Sequence, residues 1–192
     1  MMLYAYCVVP STARTLASRG IDGAPVRMVQ AGQVAVAVSD IPGPAAPTAE
    51  RIAAHHQVCM EMLGGGAVAP FRFGNTFEHV EELRKAIETG DLAAKLEKVA
   101  GCVELTVHVP LVRERRSGRE YLLAKKHELD LAERLHAKAA PLLEDWRQEN
   151  KGDGIQAACL VKTARVPQLK ETLRTFEPKL KVTGPWPPSS FV

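Results

Sequence analysis

The chain has 192 residues, of which 46% are hydrophobic and 24% charged, with a net charge of +3. That composition builds a sizeable core without disulfides or metal, and so even a charge balance argues against a polyanionic or membrane partner. Aromatic residues make up only 5%, too few for a base-stacking surface, and no run of about 18 apolar residues is present to span a bilayer.

Met2–Val9 (MLYAYCVV) is rich in aromatic and β-branched residues and stops at Pro10, which predicts a strand. It lacks the basic start of a secretory leader. Gln33–Val38 predicts a second strand, pairing with Val26–Gln30 across a short turn at Ala31-Gly32. A stiff loop, Ile41–Pro47, leads into a helix over Thr48–Leu63, with Ile52, His56, Cys59 and Leu63 at helical spacing on one face. Gly64-Gly65-Gly66 stops it, and Ala67–Phe73 reads as a short edge segment, where Pro70 is tolerated. Asn75 and Glu78 are spaced as a capping box for a helix carrying Val80, Leu83 and Ile87, and a third helix over Asp91–Ala100 ends at Gly101.

After Gly101 the pattern changes. Val103–Leu111 alternates, with Val103, Leu105, Val107, Val109 and Leu111 on one face and Glu104, Thr106 and His108 on the other. A charged turn, Arg113–Gly118, precedes a long helix over Arg119–Ala140 with a stripe of Ala124, Leu131, Leu135, Ala139 and Leu142. Leu143–Glu149 and Ile155–Thr163 form a hairpin around the NKGDG loop, followed by a helix over Val166–Phe176 and a short strand over Leu180–Thr183. This β-α-β-β-α-β order is the ferredoxin-like arrangement. The expectation is an α+β protein of two domains, an N-terminal α+β domain over 1–100 and a C-terminal modified ferredoxin-like domain over 101–192 that carries a docked PWPP tail.

Residue patterns that carry chemistry are scarce in the sequence. GxSxG, HExxH, CxxC and the phosphate-binding glycine patterns are all missing. Cys7, Cys59, Cys102 and Cys159 sit singly in apolar runs, as core thiols of a reducing compartment do, and their spacing suits no zinc site. His55 and His56 are neighbours rather than an i, i+4 metal pair. The expectation is no catalytic residue, no metal and no cofactor.

Two stretches stand apart. VAPFRFGNTF, Val68–Phe77, gathers three of the five phenylalanines around an arginine. Its rings can complete a core with Arg72 paired to a carboxylate. Alternatively Phe71, Arg72, Phe73 and Phe77 form a partner-binding edge, with Arg72 as polar anchor. VTGPWPPSSFV, Val182–Val192, is stiffened by three prolines, so it loses little entropy on docking. Trp186, Phe191 and Val192 are its expected anchors, with Trp186 buried and the tail laid across the junction of the two domains.

Together these stretches resemble the signatures of the gas vesicle protein F/L family. The family's YxY first strand matches Tyr4-Ala5-Tyr6, and its histidine helix matches His55-His56-Gln57-Val58. Its GxVELxVxV strand matches Gly101–Val109, its GxxYL helix start matches Gly118–Leu122, and its AxxLV strand matches Ala157–Val161. The chain departs at Phe71, where the family often has methionine, and at Ser189, where it often has tyrosine. The resemblance implies a cytoplasmic, gas-vesicle-associated protein without catalytic residues, an assembly factor or minor structural component of the shells that give buoyancy. Its implied partners are the small apolar shell protein and other gas vesicle accessory proteins, with no nucleic acid and no membrane. The competing reading is a ferredoxin-like module for a small ligand or RNA, which would need aromatics on an open sheet face.

Overall fold

The computed structural model describes residues 1–13, 18–111, 118–151 and 154–192. The charged turn expected at Arg113–Gly118 lies outside these residues except for its final glycine, as does the centre of the NKGDG loop. The described residues form two compact units, Met1–Cys102 together with Trp186–Val192, and Val103–Pro185.

The first unit is built on β1 (Met2–Pro10), buried from Leu3 to Val9. It pairs antiparallel with β3 (Val34–Ile41), which pairs in turn with β2 (Arg27–Ala31). The β2–β3 turn falls at Gly32-Gln33, one residue later than the sequence spacing suggests, with Gly32 at φ 61. On the other side of β1 run two fragments, β4 (Ala69–Pro70) and β5 (Thr76–Phe77). Both faces of β1 are buried, which is why MLYAYCVV carries no charged residue.

The β1–β3 register shifts by one residue between Ala5 and Cys7, which makes Tyr6 a β-bulge. An extra residue inverts the alternation beyond it. Tyr4 and Tyr6 before the shift and Cys7 and Val9 after it therefore share one buried cluster, completed by Ala35, Ala37 and Ile41. Helix α1 (Ala49–Gly64), capped by Thr48 Oγ1 on the Arg51 N–H, contributes Val58, Cys59 and Met62 to that cluster. Its buried face is His55, Val58, Cys59 and Met62, not the face through Ile52, His56 and Leu63 that periodicity suggests. The two stripes share Cys59 and are nearly alike in apolar content, and Tyr4 selects the one that brings a ring nitrogen to its hydroxyl.

The Tyr6 hydroxyl shows how tightly this core is specified. It accepts from the Ile21 N–H at 2.9 Å and donates to Ser39 Oγ at 3.0 Å, which donates to the Pro25 carbonyl. Gly20 lies against the same hydroxyl, and a Cβ there would overlap it. Helices α2 (Val80–Thr89) and α3 (Leu92–Lys98) pack on the sheet and on each other, burying Leu83, Ile87 and Leu96. The helix signal before α2 is displaced from its expected place. Glu82 accepts from the Glu78 N–H, whereas Asn75 turns back to the Arg72 carbonyl at 2.7 Å.

The second unit orders its strands β7 (Asp145–Lys151), β8 (Gly154–Lys162), β6 (Cys102–Pro110) and β9 (Lys181–Trp186). With α4 (Arg119–Ala139) and α5 (Val166–Arg174) packed together, this is the antiparallel ferredoxin-like sheet that the β-α-β-β-α-β order requires. The face of β6 expected to be polar is not solvated. Glu104 is buried, and Thr106 and His108 are half-buried. Burial, reinforced by the Glu104 charge, pushes the Cys159 thiol on β8 up to about 12. Neither β6 nor β8 carries an aromatic residue, so these two strands offer no stacking platform for RNA.

Candidate functional site

The stretch Val68–Phe77 is an edge strand with a gap in it. β4 pairs with Cys7 and Val8, β5 with Leu3 and Tyr4, and the residues between them leave the ladder. The Phe71 N–H still donates to Tyr6 O at 2.8 Å and the Ala5 N–H to Asn75 O at 3.0 Å. Between these two bonds the chain makes a tight turn closed by Asn75 on the Arg72 carbonyl. Gly74 sits at φ 93, a conformation open to glycine and strained for other residues. Arg72 stands exposed at the tip, and no carboxylate among the described residues pairs with it. The half-buried rings of Phe71 and Phe77 flank the turn, edge to face at 6.4 Å. An edge broken after two residues cannot template a long added strand, so recognition here rests on side chains.

What fixes the turn is one chain of hydrogen bonds. The Gly74 N–H donates to Tyr4 Oη at 3.3 Å, and Tyr4 Oη lies 2.9 Å from His55 Nδ1. His55 Nε2 lies 3.1 Å from the Phe71 carbonyl. A carbonyl only accepts, so Nε2 carries the proton, Nδ1 accepts from the tyrosine, and every polar atom in the chain is matched. Phe73 folds back onto the same group, 5.7 Å from Tyr4 and 5.9 Å from His55, distances at which aromatic pairs are attractive.

Burial pushes the Tyr4 hydroxyl up to about 12, against the opposing hydrogen bond from Gly74, and raises Tyr6 as well. The unfolded chain releases these protons near pH 10 while the folded chain keeps them. The stability that these two protons contribute is therefore full below about pH 10 and is lost between about 10 and 12. Urea melts across that range, followed by tyrosinate absorbance, are expected to show the loss, and Tyr4→Phe is expected to reduce it. A urea midpoint independent of pH over this window would contradict this arrangement.

Beside this network Cys7 and Cys59 meet. Their mutual hydrogen bond holds the Cys7 thiol well above its ordinary value and lowers Cys59, with burial opposing and His55 assisting the latter. Cys59 also reaches Tyr6 O at 3.5 Å. All four cysteines are free and buried, so neither of these sulfurs is open to an outside substrate. Among the described residues, no cluster of three or more His, Cys, Asp or Glu side chains could hold a metal ion. An open cleft of about 390 Å³ lies where β1 and α1 end, lined by Val9, Pro10, Glu61, Met62 and Gly65-Gly66, with Glu61 the one charge among its described lining residues.

The tail joins the same unit. Trp186 is half-buried, its ring 5.4 Å from that of exposed His56. The deep anchor is Phe191, only 2% exposed, with Lys98 Nζ 6.0 Å from its ring centre. Pro187 and Pro188 are buried too. The prolines bring the chain round so that the Phe191 N–H closes on the Pro188 carbonyl at 3.1 Å.

The two histidines thus divide the work. His55 turns inward and grips the Arg72 turn, and His56 turns outward to the tail. Sequence reasoning found both unusual stretches but missed that one dipeptide serves them both. The available signal was the pair itself, since adjacent helical residues point about 100° apart.

A family model described as gas vesicle synthesis protein GvpL/GvpF matches residues 2–129 and 119–192. Among solved structures, the chain is similar to gas vesicle protein GvpF from Microcystis aeruginosa, at 14% identity and a TM-score of 0.79, covering 99% of this chain and 98% of that one. It is also similar to GvpF from Anabaena sp. PCC7120, at 15% identity and a TM-score of 0.79, covering 99% and 95%. No curated protein sequence matches.

Proposed function

Because the chain belongs to the gas vesicle synthesis protein GvpL/GvpF family, we propose that it is a non-enzymatic assembly or minor structural protein of gas vesicles. In this reading it works in the cytoplasm and contacts the apolar shell protein through Phe71, Arg72, Phe73 and Phe77. The observation that supports this surface is the exposed Arg72, with no carboxylate partner among the described residues, between two half-buried rings on a rigidly braced turn. Arginine and aromatic residues on a preorganised scaffold are what interface hot spots are made of. A partner prone to self-association needs its apolar surface covered before the shell closes, and a broken edge provides that contact without templating strand growth.

The test is binding of purified chain to the shell protein, wild type against Arg72→Ala. Arg72 is exposed, so the variant is expected to melt like wild type and bind about tenfold more weakly, equivalent to about 1.4 kcal/mol. Wild-type binding is expected to persist in moderate salt, because most of the contact is apolar. Unchanged affinity in Arg72→Ala, or wild-type binding abolished by salt, would reject this surface.

A further inference from the structure

Cys7 and Cys59 lie in one buried cluster, Cys7 on β1 directly after the Tyr6 bulge and Cys59 on α1. Cys59 Sγ donates to Tyr6 O at 3.5 Å. That carbonyl belongs to the peptide leading into Cys7, so covalent geometry keeps Cys59 Sγ within roughly 6 Å of the Cys7 Cα. This is the reach of a disulfide, whose Cα atoms stand about 5.5–6 Å apart. The two thiols also share a hydrogen bond, which holds the proton on Cys7 and favours the Cys59 thiolate against burial, with His55 assisting. The other cysteines differ. Cys102 donates to the Ala100 carbonyl at 3.6 Å, and Cys159 belongs to the second unit, where burial holds its proton.

The pair is buried but close to an opening. Val9 lies two residues beyond Cys7 and Met62 one turn beyond Cys59, all four in the same cluster. Val9 and Met62 also line the open cleft where β1 and α1 end. That layer shuts out a substrate, whereas hydrogen peroxide is little larger than water and crosses it when the cluster opens locally.

We propose that Cys7 and Cys59 form a peroxide-sensitive dithiol that closes to an intramolecular disulfide stapling α1 to β1. The Cys59 sulfur attacks one peroxide oxygen, the O–O bond breaks, and the other oxygen leaves as water with the Cys59 proton. The Cys7 sulfur then attacks the Cys59 sulfenic acid, the S–O bond breaks, and the hydroxyl leaves as water with the Cys7 proton. Two electrons pass from the sulfurs to the peroxide. A thiol reductant reverses the change, as for the transient disulfides of reducing compartments. The staple lies one helical turn from His55, so it holds the brace under the Arg72 turn, whatever that turn binds.

The test treats the folded, full-length chain with hydrogen peroxide, quenches with catalase, unfolds it in an alkylating agent and maps it by mass spectrometry. Of the four free thiols, Cys7 and Cys59 are expected to be lost together, at least about tenfold faster than Cys159. They are expected to appear as one linked peptide that dithiothreitol separates. Cys7→Ala is expected to stop at a Cys59 sulfenic acid, trapped by dimedone on unfolding. In the oxidised wild type the Phe71 amide is expected to exchange severalfold more slowly. A folded wild-type chain that keeps both thiols, loses all four at one rate or links another pair would overturn the proposal. Unchanged exchange at Phe71 would overturn the effect on the brace.

Discussion

Replacing Phe191 by alanine is expected to destabilise the protein by about 3–5 kcal/mol, as for other buried phenylalanines, and to lower the melting temperature by roughly 6–20 °C. The ring is 2% exposed and sits among buried prolines. Its loss leaves a cavity that a stiff tail cannot collapse to fill. Trp186→Ala is expected to cost less, about 1–2 kcal/mol, because the indole is half-buried and its ring contact is with exposed His56. Thermal melting of the two variants checks the order. A tail that served only an outside partner would leave both melting curves unchanged, and unchanged melting in Phe191→Ala would refute an internal anchor.

His55→Leu is expected to destabilise by about 2–6 kcal/mol. Leucine has a similar bulk, so the loss comes mainly from the Tyr4 hydroxyl proton and the Phe71 carbonyl, each left unmatched at about 1–3 kcal/mol. His56→Leu one residue on is expected to stay within about 1 kcal/mol, because that side chain is exposed. Amide exchange sharpens the distinction. In His55→Leu the amides of Ala5 and Phe71, which tie the broken edge to β1, are expected to lose protection first. Equal effects from both histidines would contradict the assignment of opposite roles.

How far the sequence could be read follows from where the information lies. The alternation at Val103–Leu111 and the order of elements after Gly101 reach the ferredoxin-like sheet directly, because a strand with one packed face announces itself by period. The α1 face was misread because Ile52, His56, Cys59 and Leu63 and His55, Val58, Cys59 and Met62 are nearly equivalent stripes on an alanine-rich helix. The choice between them depends on the bulge at Tyr6, and a bulge is a property of strand pairing that no single strand reveals. The tail illustrates the same limit. Proline stiffness marks VTGPWPPSSFV as a docked segment, yet tryptophan area pointed to Trp186 as the deep anchor while the turn made by Pro187 and Pro188 buries Phe191. The Arg72 turn was legible as a cluster of phenylalanines. Its brace through Tyr4 and His55 was not, since those residues lie 51 positions apart.

The proposed contact between the Arg72 turn and the gas vesicle shell protein is open to a direct test. A photo-crosslinking amino acid placed at Arg72, and as a control at exposed Glu88 on α2, tests this in cells that are forming vesicles. The expected result is a light-dependent adduct with the shell protein from position 72 and none from position 88. No adduct from either position, or equal adducts from both, would contradict it.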